Sequence, residues 1–94
     1  MEAALERLRR TLVGYSQDEL CSFLEDAGYI FDREARHGKF YRHPKLASEH
    51  PDVATRQRYA YVLVQKGRDL KPGAASNVKG ALEFLDAWEK SHDK

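Results

Sequence analysis

The chain has 94 residues, of which 41% are hydrophobic and 33% charged, with a formal net charge of +1. That suits one small domain with a single modest core and leaves no room for a second. Glu2 and Glu6 interrupt the apolar residues of the opening segment, so it reads as neither a signal peptide nor a membrane span, and a cytoplasmic location is expected. A lone Cys21 excludes an internal disulfide and a thiolate metal site; it fits a reducing compartment and reads as helix packing.

The charge is unevenly placed. Residues 1–27 hold three basic and six acidic side chains, residues 28–72 ten and five, and residues 73–94 three and four, giving −3, +5 and −1. Such asymmetry points to an anionic partner for the middle segment, of which RNA or DNA is the usual kind. The plainer reading is a solvated sheet face rich in Lys and Arg.

Leu5, Leu8 and Leu12 recur at three and four residues, which predicts a short amphipathic helix over 2–13, ended by Gly14. Ser16 followed by Glu19 forms a capping box, and Leu20, Phe23, Leu24 and Ala27 make the stripe of a second helix closed by Gly28. Residues 29–33 read as a first strand, and residues 39–43 as a second, antiparallel to it across a turn at 35–38. Pleat alternation puts His37, Lys39, Tyr41 and His43 on one side of that strand and Phe40 and Arg42 on the other. With Phe40 in the core, the four polar residues face water.

Pro44 stops the second strand, and residues 44–58 read as a long polar loop with room for one helical turn. Residues 59–65 alternate Tyr59, Tyr61 and Leu63 against Ala60, Val62 and Val64, the strongest strand signal in the chain. Residues 71–73, "KPG", break the chain. From about Ala74, Val78, Leu82, Leu85 and Trp88 trace one face of a last helix whose acidic end is expected to fray. The order predicts a single α+β domain over residues 1–94, a two-layer arrangement of a three-stranded antiparallel sheet with helices on one face and the other face open.

Several of these segments resemble one family. A helix ending in "DAGY" (26–29), the strand "FYRHP" (40–44) and above all "GRDLKPG" (67–73), which opens a helix with "NVKGAL", are similar to the HicA-type toxins of bacterial toxin–antitoxin pairs, over roughly residues 16–87. The resemblance implies a dsRBD-like α-β-β-β-α fold, here with an extra N-terminal helix over residues 1–13 that could mask the sheet or serve oligomerisation. It also implies a ribonuclease that inhibits translation by cleaving mRNA, and a cognate antitoxin covering its RNA-contacting surface. In that family a Gly-Ser-His triplet ends the turn between the first two strands, and its histidine is taken as catalytic. Ungapped counting from Gly28 to Pro44 puts the triplet on Arg36, His37 and Gly38, so a glycine holds the histidine's place and His37 stands one residue early. Either a one-residue slip in the turn delivers the His37 imidazole, or the chain is a non-catalytic nucleic-acid-binding module of the same fold.

Metal-independent RNA cleavage needs a base for the 2′-hydroxyl, an acid for the leaving oxygen and cations for the phosphorane charge. His37 and His43 lie six residues apart, roughly 20 Å along a strand, and cannot share a phosphate; His37 and Lys39, about 7 Å apart on one face, can. His37 is therefore the candidate catalytic residue, with a nucleic-acid or partner contact, or a plain turn histidine, as its alternatives. Arg36, Lys39, Tyr41, Arg42 and Lys71 are the candidate RNA contacts, Tyr41 by stacking on a base or donating a hydrogen bond; Arg33, Arg56, Arg58 and Arg68 extend the track, and His43 reads as structural. Lys71 with the amides of Ala74–Ser76 makes a phosphate seat at the mouth of the last helix. His37, His43, His50 and His92 lack zinc-ligand spacing, so neither metal nor cofactor is expected. A protein-interaction adaptor using Tyr41, Tyr59 and Tyr61 is the third reading.

Overall fold

The computed structural model describes residues 1–48 and 59–92, and local sequence signals set most of its element ends. In chain order these are helix α1 (Glu2–Arg10), helix α2 (Gln17–Asp26), strands β1 (Ile30–Ala35) and β2 (Gly38–Arg42), the short helix α3 (Pro44–Ser48), strand β3 (Tyr61–Gln65) and helix α4 (Pro72–His92). The strands make one antiparallel sheet in the order β1-β2-β3, the α+β arrangement expected from the sequence. Among the described residues no helix is long and apolar enough to cross a membrane.

The Ser16 hydroxyl accepts from the Glu19 N–H at 3.2 Å, and the Glu19 carboxylate accepts from the Ser16 N–H at 3.3 Å, so the capping box starts α2. Gly28 follows the end of α2 with φ +98°, a left-handed turn that feeds the chain directly into β1. Helix α1 ends at Arg10, earlier than the leucine spacing suggests, because Thr11 is already extended. Proline sits at the first position of both α3 and α4, where its missing N–H leaves no helical bond unmade. Helix α4 thus begins two residues before Ala74, and it stays helical through its acidic end to His92. Tyr59 and Ala60 have helical backbone and precede β3. Arg56, Arg58 and His50 lie outside the described residues.

The helices cover one face of the sheet. Tyr41, Val62 and Val64 meet Leu20 and Leu24 of α2 and Val78, Leu82 and Leu85 of α4 in one buried cluster, and α1 adds Ala4, Leu5 and Leu8. Helix α1 packs chiefly on α4, so it does not mask the sheet.

The pleat of β2 runs opposite to the sequence expectation. Tyr41 and His43 are 3% and 4% exposed and face the helices, while Phe40 and Arg42 lie on the open face. Both polar tips are satisfied inside: the Tyr41 hydroxyl donates to the Glu25 carboxylate at 2.8 Å, and the His43 ring bonds through both nitrogens. Phe40 instead lies beneath the Arg33 guanidinium, 4.4 Å from its ring centre. A bulge between Phe31 and Arg33 brings Asp32 to the same face, where it pairs with Arg33 and Arg42.

Candidate nucleic-acid interface

A cation held by a neighbouring carboxylate is partly spent, so the useful division of Lys and Arg is between paired and unpaired. Arg7, Arg9, Arg10, Arg33, Arg42, Lys45 and Lys90 pair with Glu19, Glu83, Glu6, Asp32, Asp32, Glu89 and Asp86, respectively, at 2.5–3.6 Å. Arg36, Lys39, Lys66, Arg68, Lys71 and Lys79 make no ion pair or side-chain hydrogen bond among the described residues. Of these, Arg36, Lys66, Arg68 and Lys71 lie at one end of the sheet, on the β1–β2 turn and the loop after β3. Arg36 and His37 form the two-residue turn between β1 and β2, with Ala35 opposite Gly38, and both are exposed. The Lys66 N–H donates to the His37 carbonyl at 3.2 Å, which ties the start of the β3–α4 loop to that turn.

The rest of the loop is pinned to the α1–α2 link. The Gln17 N–H donates to the Gly67 carbonyl and the Leu70 N–H to the Tyr15 carbonyl, both at 2.9 Å. Gly67 turns with φ +134°, and Lys66, Arg68 and Lys71 project from the fixed backbone as exposed side chains, with Asp69 the one acid among them. A converged positive end therefore exists, but its members differ from the set expected from sequence.

That set is split. Arg36, His37 and Lys71 lie at the basic end, and Lys39 stands at the start of β2 on the helix side, half-buried, with its charge felt by the buried Cys21 thiol. Tyr41 is corrected from a water-facing stacking residue to a core residue: burial first, then its bonds to Cys21 and Glu25, drive its hydroxyl far above the usual phenol range. Arg42 sits at the other end of β2, on the open face, held by Asp32. The amides of Ala75 and Ser76 are also withdrawn as a phosphate seat. With α4 starting at Pro72 they close onto the carbonyls of Lys71 and Pro72, and the Ala74 N–H donates to the Lys71 carbonyl at 3.1 Å. Lys66 and Lys79 were not singled out from the sequence; their signal is position, directly after a strand and on the groove-facing side of α4.

The two histidines of the opening motif have opposite surroundings. His43 Nε2–H donates to the Ala27 carbonyl at 3.2 Å and Nδ1 accepts from the Lys45 N–H at 3.3 Å, which selects one neutral tautomer. Burial lowers its pKa, against the raising effect of the Ala27 bond. The His37 side chain makes no hydrogen bond or ion pair among the described residues, to Lys39 and Lys71 included. Gly38 holds the place that the sequence resemblance gives to a histidine. A Cβ there would overlap the Val64 carbonyl oxygen, so the close approach of β2 and β3 admits glycine alone.

No group of three or more His, Cys, Asp or Glu side chains among the described residues is arranged to hold a metal ion. No protein-family model, curated protein or solved structure matches the chain.

Proposed function

We propose that the protein is a HicA-like RNA-binding protein acting as an endoribonuclease toxin, with a cognate antitoxin that covers its basic end. The observation that carries this reading is the unpaired set Arg36, Lys66, Arg68 and Lys71 on a bonded turn and loop, while Arg7, Arg9, Arg10 and Arg42 are held by carboxylates. Such an end releases counterions from a phosphate chain, the main source of nucleic-acid affinity. The element order α2-β1-β2-α3-β3-α4, which keeps the α-β-β-β-α sequence apart from the short α3, with α2 and α4 on one sheet face, supports the dsRBD-like form of the fold.

In this reading His37 moves the proton, and Arg36 and Lys66, which flank it, stabilise charge on the scissile phosphate. His37 is exposed on the turn, and an imidazole is the side chain type suited to either proton role. A non-catalytic module of the same fold is favoured by one observation: no side chain among the described residues bonds the His37 ring, and position 38 is closed to any histidine. Purified protein and His37→Ala, incubated with labelled mRNA, separate the two. Cleavage by the wild type and its loss in His37→Ala, with RNA affinity retained, is the expected result. Equal decay in both ends the His37 mechanism, and no binding at low salt ends the RNA reading.

A further inference from the structure

A groove of about 560 Å³ runs between β3 and the first half of α4, beside the loop that carries Lys66, Arg68 and Lys71. That volume lies within the range of about 300–1,000 Å³ usual for small-ligand sites. Tyr59 and Leu63 give it apolar surface, Gln65 and Asn77 give it amides, and Lys79 gives it an unpaired cation. Gly80 lets the Tyr59 ring in, because a Cβ there would lie 2.9 Å from its hydroxyl oxygen, and Phe84 supports that ring at 5.4 Å between centres. The wall is therefore fixed.

β3 is an edge strand, and the phase of its ladder decides what it shows the groove. The bonds His43 N–H to Ala60 carbonyl, 2.9 Å, and Lys66 N–H to His37 carbonyl, 3.2 Å, bracket the pairing with β2. Bonded pairs alternate along an antiparallel ladder, so Val62 and Val64 bond to β2 while Tyr61, Leu63 and Gln65 turn their N–H and C=O groups outward. Leu63 and Gln65 line the groove, and no described residue bonds to their outward groups.

We propose that this groove seats one unpaired nucleotide of an RNA strand, its base against Tyr59 and Leu63 with its edge toward the outward groups of β3 and Asn77. The flanking phosphates lie on Lys66, Arg68, Lys71 and Lys79. The inference rests on the RNA-binding reading and adds a substrate form to it. A base edge needs donors and acceptors side by side, which an unpaired strand edge supplies, and a duplex has already used those edges. An added protein strand would use the same edge but would need carboxylates of its own to meet four cations.

The test uses the full chain, a labelled single-stranded oligouridylate and a blunt RNA duplex of equal length, read by fluorescence anisotropy. Gly73 lines the groove, has no left-handed φ, and a Cβ there meets nothing within 4 Å, so Gly73→Leu introduces an apolar side chain at the groove wall with no backbone strain or Cβ clash. The wild type is expected to favour the single strand by about tenfold, the scale of one stacked base, and Gly73→Leu to lose that preference. Its thermal midpoint should hold or rise, since leucine outranks glycine in a helix. Asn77→Ala, which removes only an amide, should weaken the single strand in the same direction. No preference in the wild type, or a preference untouched by both variants, overturns the groove while leaving RNA binding standing; no binding of either RNA at low salt overturns both.

Discussion

The two ends of β2 carry the same residue type in opposite states. At the far end, His43 is buried with both ring nitrogens bonded, and its neighbours Arg42 and Lys45 are held by Asp32 and Glu89. At the turn end, His37 is exposed with neither nitrogen bonded, and Arg36, Lys66, Arg68 and Lys71 have no acid partner among the described residues. A histidine in a basic aromatic strand can thus be a packing group or a free one, and the partners already in place tell which. Where the fold satisfies its own polar groups, nothing is left over for a ligand.

The largest effect that would break this contrast is on affinity. Replacing Arg36, Lys66, Arg68 and Lys71 together by alanine should weaken RNA binding by about a hundredfold or more at moderate salt, and should flatten the plot of log affinity against log salt by about 3, at roughly 0.7 per contact on single strands. Removing Arg9, Arg10, Lys45 and Lys90 takes away the same charge from paired positions and should change affinity by only about twofold. Equal losses in the two variants would mean that net charge, and not the turn end, binds RNA.

Next in size is the backbone contact that shapes the turn end. Gly38→Ala drives a Cβ into the Val64 carbonyl and should cost about 3 kcal/mol or more in urea unfolding, the range of overpacked or strained sites. A neutral result would show that β2 and β3 can part at that point, and would reopen position 38 to a larger side chain.

The far end makes a smaller, pH-dependent prediction. Burial holds the His43 pKa below its usual 6.5, so the folded state binds fewer protons than the unfolded one on the acid side. The contribution of His43 is therefore complete above the unfolded pKa and is lost as pH falls through 6.5 toward the folded value. Thermal melts from pH 7.5 to 5 should show this loss, and His43→Gln, which does not titrate, should remove that part of the slope. The smallest expected change is for Arg10→Ala, whose pair with Glu6 is exposed on both sides and should contribute less than about 1 kcal/mol to the same melts.

Much of the fold was legible because it is written locally. Ser16 with Glu19, Gly28 after Ala27, and prolines at 44 and 72 fix element ends whatever the tertiary structure does. The phase of β2 was not legible, since Phe40 and Tyr41 are adjacent apolar rings and a period of two fits either face. The opposing strand gave no arbitration: Tyr61 and Leu63 are as apolar as Val62 and Val64. Glu25 on α2, which takes the Tyr41 hydroxyl, settles it, and that contact spans sixteen residues of chain. Of the candidate site, Arg36, His37 and Lys71 were visible as charge near turns. Lys66 and Lys79 stand apart only in the folded chain, where Asp32, Glu83 and Glu89 are engaged with other cations.

Helix α1 has a practical consequence. Leu5 and Leu8 are 3% and 0% exposed, and Arg9 reaches Glu83 across the helix interface. Trimming the chain to the stretch that resembles the toxin family would uncover a greasy stripe on α4 and invite clumping. Anyone expressing the protein for RNA work should keep the first fifteen residues, and should hang an affinity tag where it leaves that helix seated.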